Sequence, residues 1–219
     1  MRVILIIHFI KSCSEATVSA SNRHFILGYG SLISSESRSK TGETGHVWPV
    51  KLHGFERHWS VMSDCFGMSS VAVIKAPEKY CNGVLAEVPF EQFPLFDERE
   101  RGYHRAMIAP EQLMPYQEEP LPEGTYWVYY TDNIVEPSPN SPIVLSYLDV
   151  ILSGCLEHGD AFTKDFLMLT KGWTSPLLND RQTPRYPRVQ PDISTGRLNV
   201  LLAPVTTLSL KELSVTYEP

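Results

Sequence analysis

The sequence predicts an α+β fold with a mixed, barrel-like β-sheet core, flanking helices and a helical C-terminal extension. Three observations predict it: strand-like segments crowd the chain up to Tyr130, helix-like segments follow, and the βαβα alternation of a doubly wound sheet is missing. The 219 residues, 42% hydrophobic and 20% charged, fit one folded unit with an elaboration and argue against disorder over most of the chain. Nineteen Lys and Arg against 25 Asp and Glu give a net charge of −6, spread along the chain. A non-specific nucleic-acid binder needs a basic face, and none is visible.

Taken in order, residues 1–20 form an N-terminal segment, signal-like or flexible. Arg2 precedes the apolar run 3–7, and small residues stand at Val18, Ser19 and Ala20, but His8 and Lys11 interrupt a run already short for a secretory signal. The expectation is a cytoplasmic protein, with secretion or organellar import as the alternative. No later stretch approaches the roughly twenty apolar residues of a membrane span. Residues 24–29 (HFILGY) read as a buried strand breaking at Gly30 and Ser31. Residues 34–46 are polar and glycine-punctuated, an exposed connection, and 50–62 resumes as extended chain. Segments 71–75 and 84–88 read as two strands of a hairpin, parted by turn-forming residues 77–83.

Residues 90–101 switch to helix, with Pro94 in its first turn and Gly102 as its stop. A return strand is expected at 103–108 and another at 125–130 (TYWVYY). Ser141 and Pro142 read as N-cap and first residue of a helix whose apolar positions Ile143, Tyr147, Leu148, Ile151, Leu152 and Cys155 recur until Gly159. Asp160 can cap a second helix running to Gly172. A proline-rich loop then carries Arg181, Arg185 and Arg188, and 197–203 reads as a strand closing a sheet. The expected organisation is a core over 24–135 and, over 141–219, a helical extension, arginine-rich loop and closing strand packed on it.

Four cysteines, Cys13, Cys65, Cys81 and Cys155, are widely spaced and form no C-x-x-C pair, so no metal is expected and buried free thiols are the default. The chain lacks G-x-G-x-x-G, a phosphate-loop lysine, H-E-x-x-H and G-x-S-x-G, which removes the usual support for nucleotide, zinc and α/β-hydrolase chemistry. What remains is the run Gly28, Tyr29, Gly30, Ser31, Leu32 after a strand, where two glycines permit a tight turn whose amides can converge on a carboxylate or oxyanion. The competing reading is an ordinary turn. Phe93, Phe96 and Glu100 fall on one side of a helix, and a carboxyl held on an apolar face gains proton affinity suited to shuttling a proton. The competing reading pairs Glu100 with Arg99, Arg101 or Arg105 at the surface, where Asp97 and Glu98 are placed too. Arg181, Arg185, Tyr186 and Arg188 are candidates for a carboxylate-binding rim. His53 and His58 have no partner spacing for a triad or metal, and the aromatic run 126–130 fits sheet packing or a pocket wall.

GYGSL at 28–32, HGFERHWSVMS at 53–63, NGVLAEV at 82–88 and DERERGY at 97–103 together resemble, in order and spacing, the γ-glutamylcyclotransferase superfamily, closest to its ChaC-like and bacterial branches. The likeness spans about residues 24–110. Residues 146–188 also look like a C-terminal extension carried by some members. The resemblance implies a barrel-like α+β fold whose cavity takes a γ-glutamyl group, held by backbone amides of Gly28, Tyr29, Gly30, Ser31 and Leu32, with Glu100 matching the catalytic glutamate and Tyr103 shaping the pocket. It implies a cofactor-independent reaction on a small-molecule γ-glutamyl substrate, in which the substrate's α-amine attacks its own γ-carbonyl and releases 5-oxoproline. The alternative is a catalytically inactive binding or structural module on the same scaffold, and a third reading, an acyltransferase using Cys65 or Cys81, lacks a base at useful spacing.

Overall fold

The computed structural model describes residues 23–61 and 67–206. The signal-like segment 1–20 with Cys13, the end of the extended stretch at Met62, Cys65, and the last part of the extension from residue 207 onward lie outside the described residues. Alternation along His24–Gly28 (β1) sends Phe25 and Leu27 into one apolar cluster and Ile26 into another. A strand buried on both faces must be central, and β1 is: it pairs antiparallel with Ser70–Glu87 (β3) and parallel with Thr125–Tyr130 (β6). Val47–Ser60 (β2) pairs antiparallel with β3, His104–Ile108 (β4) with β6, and Leu113–Pro115 (β5) with β2. The order β4-β6-β1-β3-β2-β5, with Thr170–Lys171 (β8) parallel to β2, is a mixed sheet curled into a half-barrel.

The expected hairpin over 71–88 is corrected to the single long strand β3. Its hairpin partner is β2, and the turn-type residues 77–83 do not reverse the chain. His53 pairs with Tyr80 and Phe55 with Lys75, so residues 76–79 have no partner and swell opposite Gly54. Pro77 is accommodated there because a bulge needs no ladder hydrogen bond from it. Gly54 takes φ 87°, the left-handed conformation a side chain would strain.

The polar connection 34–46 is also more ordered than expected. It follows a turn of 3₁₀ helix, Ser31–Ile33, and contains the helix Ser35–Ser39 (α1), which buries Ser37 and Arg38. Phe93–Arg99 (α2), with Pro94 in its first turn, lays Phe93 and Phe96 over the Ile26 face of the sheet. Gly102, at φ 97°, ends that segment.

Leu145–Glu157 (α3) and Asp160–Leu169 (α4) cover the opposite face, where Leu148, Ile151, Leu152, Phe162 and Phe166 join Phe25, Leu27 and Trp59 in one core cluster. Ser141 does not cap α3. Ile143–Val144 (β7) pairs in parallel with Leu177–Leu178 (β9), and the helix begins after it. Asp180 takes the capping role from a distance, accepting the Ser146 N–H at 2.8 Å and the Ser146 hydroxyl at 2.6 Å. Gly159 is the N-cap of α4 and Asp160 its first residue. The expected closing strand at 197–203 is corrected to a helix, Thr195–Leu202 (α5): the Ser194 hydroxyl accepts the Arg197 N–H, and Leu198 and Leu202, four apart, are both buried.

Candidate functional site

The turn at 28–32 is built by close approach. A Cβ on Gly28 would lie 2.8 Å from Leu32 Cβ, and one on Gly30 would lie 2.7 Å from Val71 Cγ2 and 3.1 Å from Tyr147 Oη. Real Cβ contacts are not that short, so both positions require glycine. Two buried guanidiniums hold the turn through its carbonyls. Arg38 donates to the carbonyls of Leu32, at 2.8 Å, and Ile33. Arg57, fully buried, donates to the Tyr29 carbonyl at 3.3 Å, to the carbonyl and side-chain oxygen of Asn82 at 2.7 and 2.8 Å, to the Phe166 carbonyl at 3.1 Å and to Thr170 Oγ1 at 2.7 Å. An arginine has five N–H groups, and each has a neutral acceptor here.

On its other side the turn faces a cavity of about 570 Å³. Gly28, Tyr29, Gly30, Ser31, Leu32, Glu100, Tyr103, Arg185 and Tyr186, all read from the sequence as candidates, line this one cavity. Arg181 does not. It pairs through two nitrogens with Asp149, at 2.6 and 2.7 Å, and reaches Asn199.

Glu100 follows the last residue of α2, with its side chain 16% exposed. Both readings of it have a part in the result: it lines the cavity, and Oε1 accepts from Arg99 Nε at 3.0 Å. Arg101 pairs instead with Glu98, and Arg105 with Asp97. Desolvation raises the Glu100 carboxyl above the ordinary range, opposed by Arg99 and, more weakly, Arg188. Arg99 also donates to Ser31 Oγ at 2.8 Å, so one guanidinium joins the carboxylate to the turn. Ser31 Oγ accepts from Tyr186 Oη as well, at 3.2 Å. Both its lone pairs are then engaged, and its proton is left to donate. Burial pushes the Tyr29, Tyr103 and Tyr147 hydroxyls up, so at neutral pH they stay protonated and serve as donors.

Sequence reasoning missed Met68, Ser70, Val71 and Tyr147 in the wall, and the two arginines behind the turn. One signal existed for Arg57: it stands on the inward phase of β2 with Phe55 and Trp59, where a charge is out of place. Tyr129, in the aromatic run of β6, also lines the cavity. Cys81 is fully buried, with burial pushing its thiol up to about 11, so it is a core residue and not a nucleophile. Among the described residues no cluster of His, Cys, Asp and Glu is large enough to hold a metal ion, and no helix is long and apolar enough to cross a membrane.

No protein-family model matches the chain, and no curated protein matches it. Two solved structures are similar to it over 74% of its length and 96% of theirs. One, described as γ-glutamyl cyclotransferase, is 15% identical with a TM-score of 0.53; the other, an uncharacterized protein from Homo sapiens, is 16% identical with a TM-score of 0.52. The chain has a γ-glutamylcyclotransferase-like fold. In this γ-glutamylcyclotransferase-like scaffold the cavity opens beside the end of β1, between the two apolar clusters: Tyr29 belongs to one and Leu32 to the other.

Proposed function

We propose that the protein is a γ-glutamyl cyclotransferase that acts on a small γ-glutamyl peptide or amine without a cofactor. One observation carries the reading: a desolvated carboxyl, Glu100, lines the same cavity as the turn at 28–32. Nucleophile and electrophile are joined in one substrate, so the site has only to fold the glutamyl chain for attack. Glu100 takes a proton from the α-ammonium as the amine bonds to the γ-carbon. The γ-carbon to nitrogen bond then breaks as Glu100 delivers that proton to the departing nitrogen, the regenerated carboxylate takes the second proton from the new ring nitrogen and passes it to the released amine, and 5-oxoproline leaves. No water enters and no covalent enzyme intermediate forms. The turn's amides and the Ser31 hydroxyl steady charge on substrate oxygens.

The test is release of 5-oxoproline from γ-glutamyl dipeptides, γ-glutamyl amines and glutathione. Glu100→Gln keeps the volume and loses the base, so turnover should fall by about a hundredfold or more. Wild-type turnover in that variant would remove Glu100 from the chemistry, and a wild-type protein that leaves every such compound intact would remove the reaction.

A further inference from the structure

Among the described residues the cavity wall holds a single carboxylate, Glu100, against the guanidiniums of Arg99, Arg101, Arg185 and Arg188. In a chain of net charge −6, this is a local inversion of sign. Three of the four have partners of their own: Arg101 is paired with Glu98, Arg185 donates to the Gly67 carbonyl, and Arg99 is paired with Glu100 at 3.0 Å. Arg99 and Arg188 nevertheless converge. Arg99 Nη1 and Arg188 Nη2 both donate to Thr41 Oγ1, at 3.3 and 2.6 Å. A hydroxyl oxygen has two lone pairs, so Thr41 is fully used holding two like charges side by side. Arg188 also donates to the Ser37 carbonyl at 3.3 Å, but its Nε hydrogen is buried with no acceptor. Burial and then the charge of Arg99 depress its pKa. A guanidinium that lines the cavity with no paired carboxylate among the described residues, beside a second cation, is a costly arrangement in the empty cavity and a favourable one once an anion sits against it.

We infer that Arg188, with Arg99 beside it, is a subsite for a carboxylate carried by the leaving amine, which makes the substrates γ-glutamyl amino acids or peptides in preference to γ-glutamyl amines. The inference rests on the reaction proposed above. The glutamyl half is placed elsewhere by its own charge. Its α-ammonium must meet Glu100 and is repelled by Arg188, whose guanidinium has no carboxylate paired with it among the described residues, while its α-carboxylate has the donors of the buried turn. Arg188 is half-buried, on the 185–188 stretch of wall, which suits the half that departs. A cavity of about 570 Å³ has room for such a peptide.

γ-Glutamylglycine and γ-glutamylglycinamide differ only by carboxylate against carboxamide, and they make the test. In wild-type protein kcat/KM for the acid should exceed that for the amide by about ten- to a hundredfold. Arg188→Gln should bring the ratio towards one by penalising the acid more. Arg188→Lys, which keeps the charge without the fork, should retain part of the preference. A wild-type ratio near one overturns the subsite, as does an Arg188→Gln variant that slows both compounds equally, since the guanidinium would then serve the glutamyl half. If neither compound yields 5-oxoproline, the reaction is wrong, and calorimetric binding of the same pair to wild-type protein decides the subsite separately. Tighter binding of the acid upholds it; equal binding, or none, overturns it.

Discussion

Arg99 sets where Glu100 changes its charge. Burial raises the carboxyl's proton affinity and the neighbouring guanidinium lowers it, with burial the larger effect. A general base must be ionised, so kcat/KM should fall as the pH drops through a value above the ordinary carboxylate range. Arg99→Gln removes the charge that favours the ionised form, so this acid limb should move to still higher pH. The check is the rate of 5-oxoproline release between about pH 4 and 9; a limb that stays in place or moves down would show that Arg99 does not govern Glu100. The types and spacing of these two residues were legible in the sequence. Their pairing was legible only as one of three options, because Arg99 and Arg101 flank Glu100 directly and Arg105 stands five residues on, and only the direction of the last turn of α2 separates them.

At the scale of elements, α3 is shaped to meet the turn. Gly154 permits it: a Cβ there would stand 2.4 Å from the Ser34 backbone nitrogen and 2.8 Å from the Ile33 carbonyl carbon. Glu157, one turn on, accepts the Ser35 N–H at 3.1 and 3.2 Å and so caps α1. Gly154→Ala adds helix propensity but forces α3 off the turn. We expect a net loss of about 1–3 kcal/mol in urea unfolding, with a rise in KM; an unchanged or higher midpoint would show that the contact yields freely. Elements whose signals are local were readable: β1, β4, β6, α2 and α4 follow from alternation, helical spacing and end residues. The misread ones depend on distant partners. β3 is one strand because it bulges at 76–79 opposite Gly54 and then resumes the same ladder with β2, and α3 starts late because Ile143 and Val144 find β9 and Asp180 supplies the cap. Sequence spacing carries neither fact. The helix α5 carries local signals of its own in Ser194 and the Leu198–Leu202 spacing, but its short apolar run Val200, Leu201, Leu202 fits a strand equally well.

At the scale of the molecule, Arg57 joins parts remote in sequence: the turn after β1, Asn82 on β3, the end of α4 at Phe166 and Thr170 on β8. Its guanidinium also lies 4.0 Å from the centre of the Phe166 ring. Arg57→Met would keep much of the stem's volume and strand several buried acceptors at once. We expect a loss on the order of 3 kcal/mol or more, read as a lower denaturation midpoint together with weakened binding at the cavity. A variant as stable as wild type would show that water replaces the guanidinium without cost. The resemblance in sequence extends over about residues 24–110, yet the turn within that stretch is braced from residues 146–170, through Gly154, Glu157, Phe166 and Thr170.

Because every acceptor around Arg57 is uncharged, its grip on the turn has no acidic partner to neutralise and no ion pair for salt to screen. Acidification or high ionic strength should therefore silence the reactive carboxyl and loosen an anionic guest while Arg57 keeps its hold on the turn, so that returning to mild buffer after brief exposure restores turnover at once, without refolding.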